Sequence, residues 1–188
     1  MNAPAELAWR LGAGLREEPI DPKSFQRAVD KLVDEISRTR SQPARLLAML
    51  QHATPLLRIA GRLEEARKTA SAAIALAELV EDPVAVFANQ LALAQVMQRE
   101  GRYEISTPLF DQLIAQARSS PALAETLHDV LFNAGRNLFD QAHFAEAGRC
   151  FRESQGLRRS LGLDHLLEMS AEAIRQAKKA AVDRDRKG

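Results

Sequence analysis

The stretch LFNAGRNLFDQAHFAEAGRCF, residues 131–151, decides the fold that this sequence predicts. Apolar residues recur in it at spacings of three and four, which indicates helices on both sides of a short turn. Small residues stand where bulk would be expected, at Ala134 and Gly135 and again at Ala147. Small side chains let two helices approach closely. The stretch therefore predicts a tightly packed helix–turn–helix unit.

The same unit recurs towards the N-terminus. Its spacing is large-x2-small-small-x2-large, followed nine residues later by small-x3-large. Successive shifts of 41, 40 and 42 residues return the same internal spacings, although not the same residue sizes, in copies that begin at Gln90, Leu50 and Ala8. The copy at Ala8 lacks the turn glycine and has Pro19 and Pro22 near it.

Regular start and stop signals divide the chain into helices. Proline follows a capping or polar residue at several helix starts, as in Asp21-Pro22 and Asp82-Pro83, and Gly61 and Gly101 are expected at C-terminal caps. No strand is predicted, and Pro55 is expected to kink its helix or to break it at Thr54. The predicted helices are 4–16, 22–39, 43–59, 63–80, 83–99, 103–118, 121–139, 143–160 and 164–182.

On these residues the chain resembles a tetratricopeptide repeat protein. The family pattern, large-x2-Leu-Gly-x2-Tyr followed by Ala-x3-Phe, is matched best by residues 131–151. The family's turn motif, which begins with glycine and ends with alanine, is matched by residues 61–66. The period near 40, longer than the usual 34, resembles the repeats of kinesin light chains and some bacterial regulators. The resemblance implies an all-α fold, a right-handed superhelical array of antiparallel helix pairs.

Three segments are expected from this arrangement. Residues 1–40 are predicted to form a degenerate N-terminal helix pair, and residues 41–162 three repeat-like helix pairs. Residues 163–188 are predicted to form a C-terminal capping helix with a basic tail. Stacked pairs share one continuous core, because a single pair cannot bury its apolar face alone.

Charge and composition narrow the class of function. The formal net charge of +1 predicts no general attraction to nucleic acid or to acidic membranes, and no apolar run is long enough to span a bilayer. The single cysteine, Cys150, allows no intrachain disulfide, which fits a cytoplasmic location. Cys150 is expected to be inert and partly buried, with a reactive thiol as the alternative.

No constellation for catalysis or metal binding is visible. The four histidines, which are His52, His128, His143 and His165, form no i,i+4 pair, and none has a Cys or carboxylate at a metal-like spacing. Gly12 and Gly14 follow no predicted strand, which argues against a nucleotide loop. We therefore expect no cofactor, no bound metal and no enzyme activity.

The resemblance implies a concave groove lined by the first helix of each pair. The signature positions that would line it are Trp9, Arg10 and Ala13; Gln51, His52 and Pro55; Leu91, Ala92 and Gln95; and Phe132, Asn133 and Arg136. Asn133 falls where kinesin-light-chain-like repeats often place a backbone-binding asparagine. Trp9 could instead be an N-terminal core plug, and Phe132 could equally be a core residue.

The implied function is a non-enzymatic scaffold that binds a peptide segment of a partner protein in its groove. The alternative is a structural or oligomerisation module whose helical surface is used in self-association, for example as a homodimer.

Overall fold

The computed structural model describes residues 5–39 and 42–186, and in this part of the chain eight α-helices come after a short β-hairpin. The strands are β1 (Trp9–Leu11) and β2 (Glu17–Pro19). The helices are α1 (Pro22–Arg38), α2 (Pro43–Ile59), α3 (Leu63–Leu79), α4 (Pro83–Arg99), α5 (Tyr103–Ser119), α6 (Leu127–Asp140), α7 (Phe144–Ser160) and α8 (Leu167–Asp185). Single 3-10 segments occupy Ala5–Leu7, Ala13–Leu15, Pro121–Thr126 and Asp164–Leu166.

The capping signals explain why the helices begin and end where they do. The carboxylate of Asp21 accepts from the backbone N–H groups of Lys23 and Ser24 at 3.0 and 3.2 Å, which satisfies donors that a helix start leaves open. Gly61 and Gly101 adopt positive φ angles of 78° and 75° directly after α2 and α4. The helix predictions from residue 22 onwards are confirmed to within a few residues, apart from 3-10 turns before α6 and α8.

Pro55 lies inside the continuous helix α2. This helix runs without interruption from Pro43 to Ile59 with Pro55 inside it. The alternative of a break at Thr54 is therefore wrong. The hydroxyl of Thr54 donates to the Leu50 carbonyl at 3.0 Å, one turn back along the same helix.

The N-terminal prediction is wrong in two respects. Residues 4–16 were expected to form a helix and no strand was expected, whereas residues 9–19 form an antiparallel hairpin that pairs Trp9 with Pro19 and Leu11 with Glu17. Glycine costs about 1 kcal/mol in a helix interior, so Gly12 and Gly14 disfavour the predicted helix. Gly14 takes a positive φ of 65° in the connection. Within the described residues, the first 40 positions therefore hold a hairpin and one helix instead of a helix pair.

The chain divides into two compact units, residues 1–100 and residues 101–188. In the first unit α1 packs on α2, α2 on α3 and α3 on α4, and α2 also contacts α4. One buried cluster of this unit contains Phe25, Val29, Ala53, Leu56, Leu57, Ile59, Ala66 and Val96. A second contains Leu47, Leu50, Ala73, Ala77 and Ala85.

In the second unit α5 packs on α6, α6 on α7 and α7 on α8. The tight contact of α6 with α7 depends on Gly135, because a Cβ atom at this position would lie 2.5 Å from Cε1 of the buried Phe151. The sequence-level expectation of close packing at Gly135 is thus explained by an aromatic ring on the facing helix. The all-α fold class is confirmed, with 83% of the described residues helical; the right-handed superhelix stays a prediction.

Candidate functional site

One surface of the first unit, formed by α2 and α4, is the candidate binding site. The two helices contact each other, and both open a copy of the sequence repeat. A shift of 40 residues relates their sequences, so equivalent positions occupy equivalent sides of two regular helices. This surface, which we call the α2–α4 face, consists of Ala48, Gln51, His52 and Pro55 on α2 and Ala88, Leu91, Ala92 and Gln95 on α4.

The side chains of the α2–α4 face are small or uncharged. Ala48, His52 and Ala88 are exposed, and Ala92 and Gln95 are half-buried. Alanines allow the backbone of a ligand to approach a helix closely, as small residues do between packed helices. His52 and Gln95 each supply a hydrogen-bond donor and an acceptor. The face is therefore suited to an uncharged peptide segment that offers backbone groups.

Six of the residues predicted to line a groove lie on this face: Gln51, His52 and Pro55 on α2, with Leu91, Ala92 and Gln95 on α4. Gln51, His52 and Gln95 retain access to solvent, whereas Leu91 is buried with 8% of its surface exposed. The structure thus brings these residues together in one unit, and their contact with a ligand stays a prediction.

Two other predicted residues, Trp9 and Arg10, lie on strand β1 instead of on a helix. Trp9 exposes 41% of its surface, so the alternative of a buried core plug does not describe it. Nε of Arg10 lies 4.0 Å from a carboxylate oxygen of Glu18, directly opposite on β2. Ala13, the third position of this copy, falls in the 3-10 segment between the strands.

The remaining predicted residues, Phe132, Asn133 and Arg136, are buried on α6, with 3–5% of their surfaces exposed. The Asn133 amide donates to the backbone and carboxylate oxygens of Asp129 at 2.9 and 3.0 Å. Nη1 of Arg136 donates to Oδ1 of Asn133 at 3.3 Å. These polar groups hold one another along α6, so replacing them would disturb the packing of this helix as well as any ligand contact.

A polar cluster that sequence reasoning missed surrounds Arg158 of α7, which is only 1% exposed. Its Nε donates to Nδ1 of His128 at 3.3 Å, and its Nη1 donates to Oγ of Ser170 at 2.7 Å and to the Leu166 carbonyl at 3.3 Å. Its guanidinium also lies over the ring of Phe132, 4.4 Å from the centroid. We call Arg158, His128, Phe132 and Ser170 the Arg158 cluster.

Burial shapes the electrostatics of this cluster. Desolvation lowers the pKa of the Arg158 guanidinium, and the carboxylate of Asp129 opposes this effect. Burial likewise lowers the pKa of His128, with the Asp129 charge raising it and the Arg158 charge lowering it further. The signal that could have revealed the cluster is the repeat register, because shifts of 41 and 40 residues place Ala117 and Ala77 at the position of Arg158.

Metal ligands and the cysteine thiol were the remaining chemical candidates in this part of the chain. No group of three or more His, Cys, Asp or Glu side chains in residues 5–39 and 42–186 could hold a metal ion. Burial raises the pKa of the Cys150 thiol and nearby Glu153 adds to the rise, which disfavours the reactive thiolate. Within the same residues, no helix has the length and apolarity to cross a membrane.

Comparison with known proteins identifies the fold. No family model matches the sequence, and no curated protein matches it. Among solved structures, the chain is similar to the nearly identical TPR-like repeats of a Podosopora anserina protein described as a kinesin light chain, with a TM-score of 0.54 and 16% identity. A single-substitution variant of that protein gives a TM-score of 0.55 and 17% identity. Both alignments cover 87% of this chain and 90% of the other.

The similarity extends over most of both chains at low sequence identity, so it concerns the fold alone. The chain has the fold of TPR-like helical repeats, as its spacing predicted. Repeat arrays of this kind present extended surfaces on which a ligand can bind. What the chain binds depends on its own surface side chains, which differ from those of the similar structures.

Proposed function

We propose that this protein is a non-enzymatic interaction scaffold whose α2–α4 face binds a peptide segment of a partner protein. The observation that carries the proposal is an uncharged strip on two equivalent helices of a TPR-like fold, in which Ala48, His52 and Ala88 are exposed. Charged partners such as nucleic acid would need a row of cations, which the strip does not offer.

The chemistry of the strip favours recognition through the peptide backbone. Ala48 and Ala88 stand at equivalent positions one repeat apart, and both are exposed. A ligand lying over them can approach both helices closely. His52 and Gln95 can then donate to and accept from its amide groups, which gives orientation without selecting a charged side chain. We place the partner protein in the cytoplasm, in line with the single unpaired cysteine.

A steric block tests the proposal with a matched control. Peptides selected from a random library on the full-length protein serve as probes, and their binding is followed by fluorescence anisotropy. Ala88→Glu places a long charged side chain on the α2–α4 face and should weaken binding at least tenfold. Ala75→Glu makes the same change at an exposed alanine of α3 and should leave binding unchanged. Equal binding by both variants would remove the α2–α4 face as the site.

A double substitution tests the polar contacts. His52→Ala with Gln95→Ala should cost roughly 2–4 kcal/mol of binding free energy, the usual range for central interface residues. The melting temperature should change little, because His52 is exposed and Gln95 is half-buried. Full-strength binding by a folded double variant would contradict the proposed contacts.

Self-association is the second candidate, and one surface favours it. Leu79, Val80 and Val84 are exposed by 77%, 42% and 48% where α3 turns into α4. Neighbouring exposed apolar side chains commonly mark a protein interface. Light scattering over a range of concentrations separates the candidates: a mass that rises with concentration and falls back in Leu79→Ser supports self-association, and a constant monomer mass excludes it.

A further inference from the structure

Three residues of the Arg158 region in the third repeat occupy positions that hold apolar residues in the first two repeats. The first repeat has three buried apolar residues at these positions, and so does the second. The third has polar groups that include a histidine and an arginine. The equivalent sets are Leu47, Ala73 and Ala77; Phe87, Leu113 and Ala117; and His128, Ser154 and Arg158. Since alanine suffices twice at the position of Arg158, the repeat fold does not require a cation there.

The arginine is held by neutral groups. No carboxylate in the described residues lies within 4.0 Å of the Arg158 guanidinium, and its hydrogen bonds go to an imidazole, a hydroxyl and a backbone carbonyl. A buried charge is costly unless it is paired or hydrogen-bonded. Each neutral acceptor therefore matters to the cluster, and the imidazole is the one acceptor among the three that a proton can remove.

The cluster joins three parts of the second unit. Arg158 lies on α7, its imidazole acceptor on α6, and its hydroxyl acceptor, Ser170, on α8. The buried side chains of α8 are small, namely Ser170, Ala173 and Ala177. Burial of alanines removes little apolar surface from water. The polar bonds of Arg158 therefore add to what holds α8 against α7, beside half-buried apolar side chains such as Met169 and Ile174.

The bond from Arg158 to His128 needs an unprotonated Nδ1. A protonated imidazole carries N–H groups at both nitrogens and can no longer accept from Nε of Arg158. The new positive charge would also lie beside the guanidinium. The charged groups that act on this imidazole are Asp129 of its own helix and Arg158 of α7. Asp129 is engaged by the Asn133 amide, which limits its ability to compensate.

We propose that protonation of His128 releases the clamp that Arg158 forms between α6, α7 and α8, so that docking of the C-terminal helix α8 weakens at mildly acidic pH. The direction follows from proton linkage. The pKa of His128 in the folded protein is lower than its ordinary value of 6.5, so the undocked form binds the proton more readily. The docking free energy that depends on neutral His128 is complete above that value and is lost as the pH falls towards the lowered pKa.

Hydrogen–deuterium exchange of the full-length protein tests this proposal. Protection of the α8 amides is measured by mass spectrometry at pH 7.5 and 5.5 and corrected for the pH dependence of intrinsic exchange. In the wild type, protection of α8 should fall severalfold at pH 5.5, more than that of α3. His128→Gln keeps an acceptor without a titrating group and should make α8 protection independent of pH. His165→Gln, at an exposed histidine just before α8, should behave as the wild type.

A second variant covers the possibility that His128→Gln disturbs α6. Arg158→Ala installs the residue found at both equivalent positions and should lower α8 protection already at pH 7.5, with no further fall at pH 5.5. The proposal is overturned if α8 and α3 of the wild type respond equally to pH. It is also overturned if His128→Gln and Arg158→Ala both keep the wild-type fall.

Discussion

Two of the buried arginines, Arg58 in the first unit and Arg158 in the second, are held in different ways. Arg58 in the first unit forms a two-pronged ion pair with Glu17, with nitrogen–oxygen distances of 2.9 and 3.1 Å. Arg158 in the second unit has only neutral acceptors and the ring of Phe132. Both are almost completely buried, at 5% and 1% exposure.

The two arginines differ in whether protonation of a neutral partner can remove one of their hydrogen bonds. Arg58 fastens the β-hairpin to α2 through two charge-assisted hydrogen bonds to a carboxylate. Arg158 is held by neutral acceptors, and one of them, the imidazole of His128, can no longer accept once it is protonated. The same side chain is therefore held by charge pairing in the first unit and by a proton-sensitive set of neutral acceptors in the second.

The largest expected effect breaks the first attachment. Arg58→Ala leaves the Glu17 carboxylate buried without its guanidinium and should lower the free energy of unfolding by about 3–5 kcal/mol. Chemical denaturation measures this loss. The double variant Arg58→Met with Glu17→Leu should recover much of it, because both charges are then absent; a loss as large as that of the single variant would contradict this reason.

The next effect compares how the two units pack equivalent helices. Gly135→Leu forces a side chain into the ring of Phe151 and should cost about 1–3 kcal/mol or more. A shift of 81 residues towards the N-terminus places Thr54 at the position of Gly135 and Ala70 at the position of Phe151. In the first unit the first position therefore holds a larger residue than glycine, and the second a smaller residue than phenylalanine. Phe151→Ala in the Gly135→Leu background should restore part of the stability in thermal melts, and no recovery would argue against this contact.

Arg158→Ala should have a smaller effect than Arg58→Ala because it leaves behind neutral groups only. We expect a loss of about 1 kcal/mol at pH 7.5, the order of a net hydrogen bond. The difference from the wild type should shrink at pH 5.5, since the wild type has then lost the bond to His128 as well. Denaturation at both pH values measures this, and a constant difference would mean that His128 does not act on the clamp.

Gly156→Ala should stabilise the second unit slightly. Gly156 lies inside α7, and a Cβ atom there would meet nothing within 4 Å. Alanine should therefore gain about 0.5–1 kcal/mol from its helix propensity alone. A rise in melting temperature is expected for Gly156→Ala. Substitution of the other helical glycine, in Gly135→Leu, should instead lower the melting temperature.

The smallest effect concerns a surface pair of the first unit. Glu64 lies 2.7 Å from Lys68 one turn along α3, and both side chains are about 70% exposed. Glu64→Ala should lower the melting temperature only slightly, because water screens exposed ion pairs. Addition of 1 M salt should reduce this small effect; a loss of stability comparable to that of Arg58→Ala would show that Glu64 does more than pair with Lys68.

Most of the helical fold was predictable from the sequence. Asp21 and Asp82 cap helix starts by local hydrogen bonds, and Gly61 and Gly101 end helices by local backbone conformation. Such signals act over a few residues and need no tertiary contact to be recognised. The wrong prediction of a helix over residues 4–16 also came from a local signal. The spacing of Ala8, Leu11 and Leu15 fits a helix, although the glycines between them disfavour one.

The candidate site was predictable in part. The repeat register located Gln51, His52 and Gln95 on accessible sides of α2 and α4, because equivalent positions of a repeat share a side. The same rule failed to foresee the burial of Asn133 and Arg136. Their exposure depends on neighbouring helices, which differ from one repeat to the next.

The sequence by itself thus determined the helices from residue 22 onwards to within a few residues, and the repeat of about 40 residues, since these follow from local propensity and periodicity. Only the tertiary structure decided which polar side chains are buried and what holds them. Glu17 meets Arg58 across 41 residues, and Arg158 meets His128 across 30. The physical reason is that burial and charge pairing are properties of groups distant along the chain, which a local pattern does not contain.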